Sequence, residues 1–91
     1  HHWVELKNVN GDNGWLYGKA DYIVFETIDY WVIVDKYKLQ EFIANKCKLK
    51  QWSNSPSEYK LYKRATRELE VLTLVKTIDL CYLATKIITK L

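Results

Sequence analysis

Read from its N-terminus, the chain changes hydrophobic period several times, and each change predicts an element. Trp3-Val4-Glu5-Leu6-Lys7 alternates, with Val4 and Leu6 on one face and Glu5 and Lys7 on the other, which predicts a short strand. Gly11-Asp12-Asn13-Gly14 is a turn cluster in which glycine supplies positive φ. Residues 15–19 fit a single helical turn or an irregular connection. Asp21–Glu26 (DYIVFE) and Tyr30–Val34 (YWVIV) are rich in β-branched and aromatic residues, and the short Thr27-Ile28-Asp29 between them predicts a hairpin. Both runs are almost continuously apolar, which predicts central strands covered on both faces.

The period then lengthens to that of a helix. Leu39, Phe42, Ile43 and Cys47 fall on one face of a segment from Lys36 to about Lys48, and Asp35 stands where an N-cap belongs. WSNSPS (52–57) reads as a loop, with Pro56 closing off regular structure. Tyr59–Lys63 alternates like a half-exposed strand, Glu70–Lys76 (EVLTLVK) is another β-type run, and the polar ATRE between them makes a second hairpin. Thr77 or Asp79 can cap a last helix, whose stripe would be Leu80, Leu83, Ala84, Ile87, Ile88 and Leu91. Lys86 and Lys90 would suit its dipole, and the stripe serves as core or as half of a dimer interface. The order is β-β-β-α-β-β-α: an α+β fold in one domain over residues 1–91, with two helices on a mixed sheet of about five strands.

Composition narrows the class. With 91 residues, 48% of them hydrophobic, seven tyrosines and four tryptophans, the chain can build a core but has little stability to spare. Glycine and proline are scarce, which argues against disorder. No apolar run approaches the roughly 20 residues that span a bilayer, and no signal peptide is visible, so no membrane partner is expected. Cys47 and Cys81 lack metal-site spacing and suggest a reducing, cytoplasmic setting. The chain contains no methionine, so His1-His2 reads as a tag remnant or a processed end, and natural sequence is expected upstream.

Candidate chemistry concentrates in a few places. A carboxylate such as Glu5 suits Mg²⁺ or Mn²⁺, and a neighbouring ammonium such as Lys7 can position water or stabilise charge on a phosphate. Taken alone, the pair is better explained as an exposed charged strand face. Asp21 is the nearest second carboxylate for a metal, although closing a turn is its ordinary role. Asp12 belongs to turn chemistry and Asp35 to capping. Net charge is +3. The cations gather as Lys46, Lys48 and Lys50, then as Lys60, Lys63, Arg64 and Arg67, with Trp52, Tyr59 and Tyr62 interleaved. Cations track phosphates and aromatic faces stack on bases, so this is the best nucleic-acid surface on offer; its alternative is a solvated face over buried aromatics. There is no phosphate-cradling glycine loop. The only histidines sit at the terminus, which leaves no Ser-His or Cys-His nucleophile system.

The succession VELK, a glycine turn, GWLYGKADYIVF, then YWVIVDKYKLQEFI resembles the PD-(D/E)xK nuclease superfamily, its small phage and bacterial members above all. YKLYKR followed by LTLVKTIDL is similar to the C-terminal part of such proteins. Only Glu5-Leu6-Lys7 maps onto the catalytic motif. The resemblance implies a nuclease acting on DNA phosphodiesters with Mg²⁺ or Mn²⁺, Glu5 holding the metal and Lys7 acting as catalytic lysine. In that family an aspartate one strand earlier completes the metal site. Nothing here precedes His1, so that aspartate would come from an upstream segment or another chain, or the activity would be lost. The alternative is a non-catalytic protein of the same fold that binds nucleic acid or a host protein, as a small dimer.

Overall fold

A computed structural model describes residues 1–47, 51–63 and 69–91. Among them lie two helices and seven strands, and the fold is α+β. In chain order these are β1 (His2–Lys7), a 3-10 turn (Trp15–Tyr17), β2 (Tyr22–Glu26), β3 (Tyr30–Asp35), α1 (Lys36–Lys46), β4 (Trp52–Ser53), β5 (Leu61–Tyr62), β6 (Val71–Val75), α2 (Thr77–Leu83) and β7 (Lys86–Thr89). The strands form two sheets instead of one mixed sheet of about five. A four-stranded sheet runs β1-β6-β5-β4, and a three-stranded antiparallel sheet runs β2-β3-β7.

The first hairpin forms as its residues dictate. Tyr22 pairs with Asp35 and Glu26 with Trp31 in unbroken register, and the Thr27 N–H closes the turn onto the Tyr30 carbonyl at 2.9 Å. Asp35 caps α1 by accepting the Lys38 N–H at 3.0 Å. The inner face of α1 buries Leu39 and Ile43 against Val4, Leu16, Val32, Val34, Val75 and Leu80, all essentially inaccessible to solvent. Cys47 is buried at the end of α1, whereas Cys81 in α2 is only half-buried.

Several expectations about this frame need correction. β2 is an edge strand, and of its apolar residues only Phe25 is buried. The 52–57 loop contains β4, which runs parallel to β5 with Trp52 beside Leu61. The half-exposed strand at 59–63 shrinks to Leu61–Tyr62, because Tyr59 adopts positive φ (56°) and breaks the extended run. The last helix stops at Leu83. Ile87 and Ile88 then enter β7, where β-branched side chains are favoured and where they pair with Val32 and Trp31. The single stripe and its dimer face therefore dissolve. Lys90 forms an ion pair with Glu26 at 2.5 Å in place of serving a helix dipole. Neither Thr77 nor Asp79 caps α2: its N-cap is Lys76, without a side-chain bond, and Asp79 instead accepts a hydrogen bond from the Tyr59 hydroxyl.

Candidate nucleic-acid interface

Glu5 and Lys7 sit two residues apart, a spacing that places them on one face of a regular strand. β1 is not regular there. Glu5 pairs with Leu72, but Lys7 pairs with Val71, so two steps along β1 match one step along β6. The extra residue is Leu6, and such a bulge re-aims the side chain that follows it. Leu6 and Lys7 line the same cleft, whose described lining does not include Glu5. The bulge thus divides the pair that the sequence pattern joins.

Glu5 has a different task. Its carboxylate accepts the Trp15 backbone N–H at 3.3 Å, and the Gly14 N–H donates to the Leu6 carbonyl at 2.9 Å. A Cβ on Gly14 would lie 2.5 Å from the Glu5 carbonyl oxygen, so only glycine allows the loop to lie this close to β1. The loop itself is fixed upstream by Asn8, whose side chain accepts the Asn10 and Asp12 N–H groups at 2.9 and 3.1 Å. Gly11 supplies the positive φ of 81°, and Asp12 stays within the turn, as expected.

The 3-10 turn that follows is held from the other side by α1. Lys36, almost wholly buried, donates through Nζ to the Gly18 carbonyl. Gln40, one helical turn on, donates to the Leu16 carbonyl at 2.8 Å. Leu16 fills the core while Tyr17 remains 42% exposed and joins Lys7 in the cleft. Three features of the chain thus cooperate to place one tyrosine: a glycine against Glu5, and a lysine and a glutamine on one face of α1.

The opposite wall comes from β4 and β5. Trp52 and Leu61 stand side by side, and Lys63 follows Leu61 by two residues, which returns it to the same face. Extending the Tyr62–Leu72 pairing by one residue sets Lys63 opposite Val71, which itself opposes Lys7. The two lysines therefore flank β6, about 10 Å apart at ordinary strand spacing. Lys63 Nζ sits 4.9 Å from the centre of the Trp52 ring, and Trp52 is 53% exposed. The cleft encloses about 410 Å³, with Leu6, Leu61, Leu69 and Val71 among its apolar lining and no carboxylate among its described lining residues.

The other anticipated residues are placed elsewhere or lie outside the described residues. Lys46 sits 5.8 Å from the Tyr59 ring and, with Lys60 and Glu58, borders a smaller hollow of about 160 Å³. Lys48, Lys50, Arg64 and Arg67 lie outside the described residues. Asp21 is exposed, and its carbonyl accepts the Lys36 N–H at 2.9 Å where the β2-β3 hairpin meets α1. That bond continues the β2-β3 ladder at its open end, and no described contact joins Asp21 to Glu5. Among the described residues no three His, Cys, Asp or Glu side chains converge as metal ligands. Tyr17 and Asn13 were missed by sequence reasoning. The signal for Tyr17 was its place between Gly14 and Gly18, beside a leucine that must be buried.

No family model matches the chain, and no curated protein or solved structure does so either. No helix among the described residues is long and apolar enough to cross a membrane.

Proposed function

We propose that the chain binds single-stranded nucleic acid, DNA in the first instance, in the cleft between Lys7, Tyr17, Trp52 and Lys63. The observation that carries this reading is the lysine set 4.9 Å from a tryptophan ring that stays more than half exposed, across β6 from a second lysine. An exposed indole offers a stacking face for any base, and cations on either side suit the phosphates that flank it. The absence of a carboxylate among the described lining residues favours an anionic ligand over a cationic one.

Fluorescence anisotropy of a labelled oligo-dT at low salt tests this. Binding is expected, and Trp52→Ala should weaken it roughly tenfold or more, since stacking on one aromatic side chain is worth about 1–3 kcal/mol per base. Lys7→Gln and Lys63→Gln should each lower the affinity and flatten its dependence on salt. A wild-type protein that fails to bind at low salt, or a Trp52→Ala variant that binds normally, overturns the reading.

Metal-dependent cleavage of the bound strand is a second reading, favoured by one observation: Glu5 keeps a half-exposed carboxylate on the strand that delivers Lys7 to the cleft. It predicts that Mg²⁺ or Mn²⁺ raises the melting temperature of the wild type but not of Glu5→Gln, and that labelled strands are cut only with metal present.

A further inference from the structure

Away from the cleft, β2 has an edge with which no strand among the described residues pairs. Its ladder to β3 includes the Thr27 N–H to the Tyr30 carbonyl and the Lys36 N–H to the Asp21 carbonyl. In an antiparallel pair, residues alternate between bonding inward and bonding outward. With 21 and 27 bonding to β3, so do 23 and 25, and Tyr22, Val24 and Glu26 turn their N–H and C=O groups to the free edge. Their side chains are exposed as well: Tyr22 is 51% and Val24 is 54% accessible. The edge borders a hollow of about 530 Å³ whose other side is formed by His2, Trp3 and Trp15.

Protected edges carry lysine, proline, a bulge or a short strand. β2 has none of the first three: it is Tyr-Ile-Val-Phe-Glu, paired to β3 without a break in register. The opposite edge of the same sheet, β7, is treated differently. It begins at Lys86 and is followed by Lys90, so a copy pairing there would bring like charges together.

We propose that β2 pairs antiparallel with β2 of a second copy of this chain, joining two three-stranded sheets into one of six strands. The outward groups sit on three alternate residues centred on Val24. A two-fold axis through Val24 therefore sets Val24 against its own counterpart and Tyr22 against Glu26, satisfying every free donor and acceptor with roughly six backbone hydrogen bonds. The like charges stay apart, because the one charged residue of each strand meets a tyrosine. The outer-face residues Tyr22, Val24, Trp31 and Ile88, all exposed in one chain, then line the same face of the joined sheet on both sides of the junction, with Glu26 among them. No residue lining the hollow beside β2 also lines the nucleic-acid cleft, so the dimer would carry two independent clefts.

Sedimentation velocity on the full chain, from micromolar to several hundred micromolar, tests the pairing. A concentration-dependent dimer is expected. Val24→Pro should abolish it, because the outward N–H of Val24 serves no bond among the described residues and proline is tolerated at such edge positions. Val24→Lys, which sets two ammonium groups face to face across the axis, should do the same if the proline variant folds poorly. Ile87→Lys on β7 should leave the dimer intact. In the wild type, amide exchange at Val24 should slow as concentration rises. A wild type that stays monomeric throughout, or a folded Val24→Lys variant that still dimerises, overturns the proposal.

Discussion

β2 and β6 look alike as sequence and fare differently as structure. Tyr-Ile-Val-Phe-Glu and Val-Leu-Thr-Leu-Val are both short runs containing β-branched residues. β6 lies between β1 and β5, and four of its five residues are buried. β2 lies at the rim of the other sheet, with one residue buried. An apolar run therefore specifies that a strand forms without specifying its place in the sheet. Where such a run falls at an edge, its unused apolar surface and backbone groups become available to a partner.

Truncation should separate the two strands most strongly. Leu72→Ala in β6 should cost about 2–5 kcal/mol in chemical denaturation, the range for a large aliphatic side chain removed from a core. Val24→Ala in β2 should stay within about 0.5 kcal/mol when measured on the dilute monomer. Equal costs would mean that β2 is covered in solution even at low concentration.

The next effect tests the loop that carries Tyr17. Gly14→Ala forces a Cβ to within 2.5 Å of the Glu5 carbonyl oxygen, so the loop or β1 must shift. A loss of about 1–3 kcal/mol is expected, together with weakened oligo-dT binding as Tyr17 leaves the cleft. Glu5 sharpens the point with a smaller change. Glu5→Gln keeps an oxygen acceptor for the Trp15 N–H and should bind oligo-dT within about twofold of wild type, whereas Glu5→Ala, lacking that acceptor, should lose roughly 1 kcal/mol of stability. If Gln and Ala are equally damaging, the negative charge of Glu5 matters for itself, and the metal-dependent reading gains ground.

How far the sequence could be read follows from these same residues. The β2-β3 hairpin, the Asp35 cap and α1 are set by local chemistry, so their spacing announced them. β7 was not legible. Leu80 through Leu91 shows a helical stripe, but Ile87 and Ile88 gain more by pairing with the free side of β3 than by extending a seven-residue helix, a tertiary effect outside any local window. The bulge at Leu6 was hidden for a similar reason. It arises from the match between β1 and β6, strands more than sixty residues apart. The proposed cleft was half legible: Trp52 and Lys63 were singled out from interleaved charge and aromatic residues, but Lys7 and Tyr17, which line the same cleft, come from the far end of the chain.

The smallest expected effect is a dependence on pH at the start of β1. His2 packs edge-on against Phe25 with ring centroids 5.3 Å apart. Burial, reinforced by the nearby terminal ammonium, lowers its pKa from the ordinary 6.5. The folded state then favours the neutral ring, so its stabilising contribution is full above about pH 6.5 and declines as pH falls through the lower folded value. Replacing His2 with phenylalanine should flatten the stability profile on the acid side relative to wild type, as followed by melting temperature between pH 7.5 and 5. An unchanged profile would assign the acid sensitivity to other groups.

The most direct test of the cleft follows the four tryptophan indole N–H signals by NMR as unlabelled oligo-dT is added to the folded protein. Trp52 should shift most, with the Tyr17 backbone amide moving alongside it, while Trp31, on the outer face of the other sheet, should hold still. A titration that moves Trp31 and leaves Trp52 in place would contradict the account, because the strand would then be bound on the outer face of the other sheet and not in the cleft.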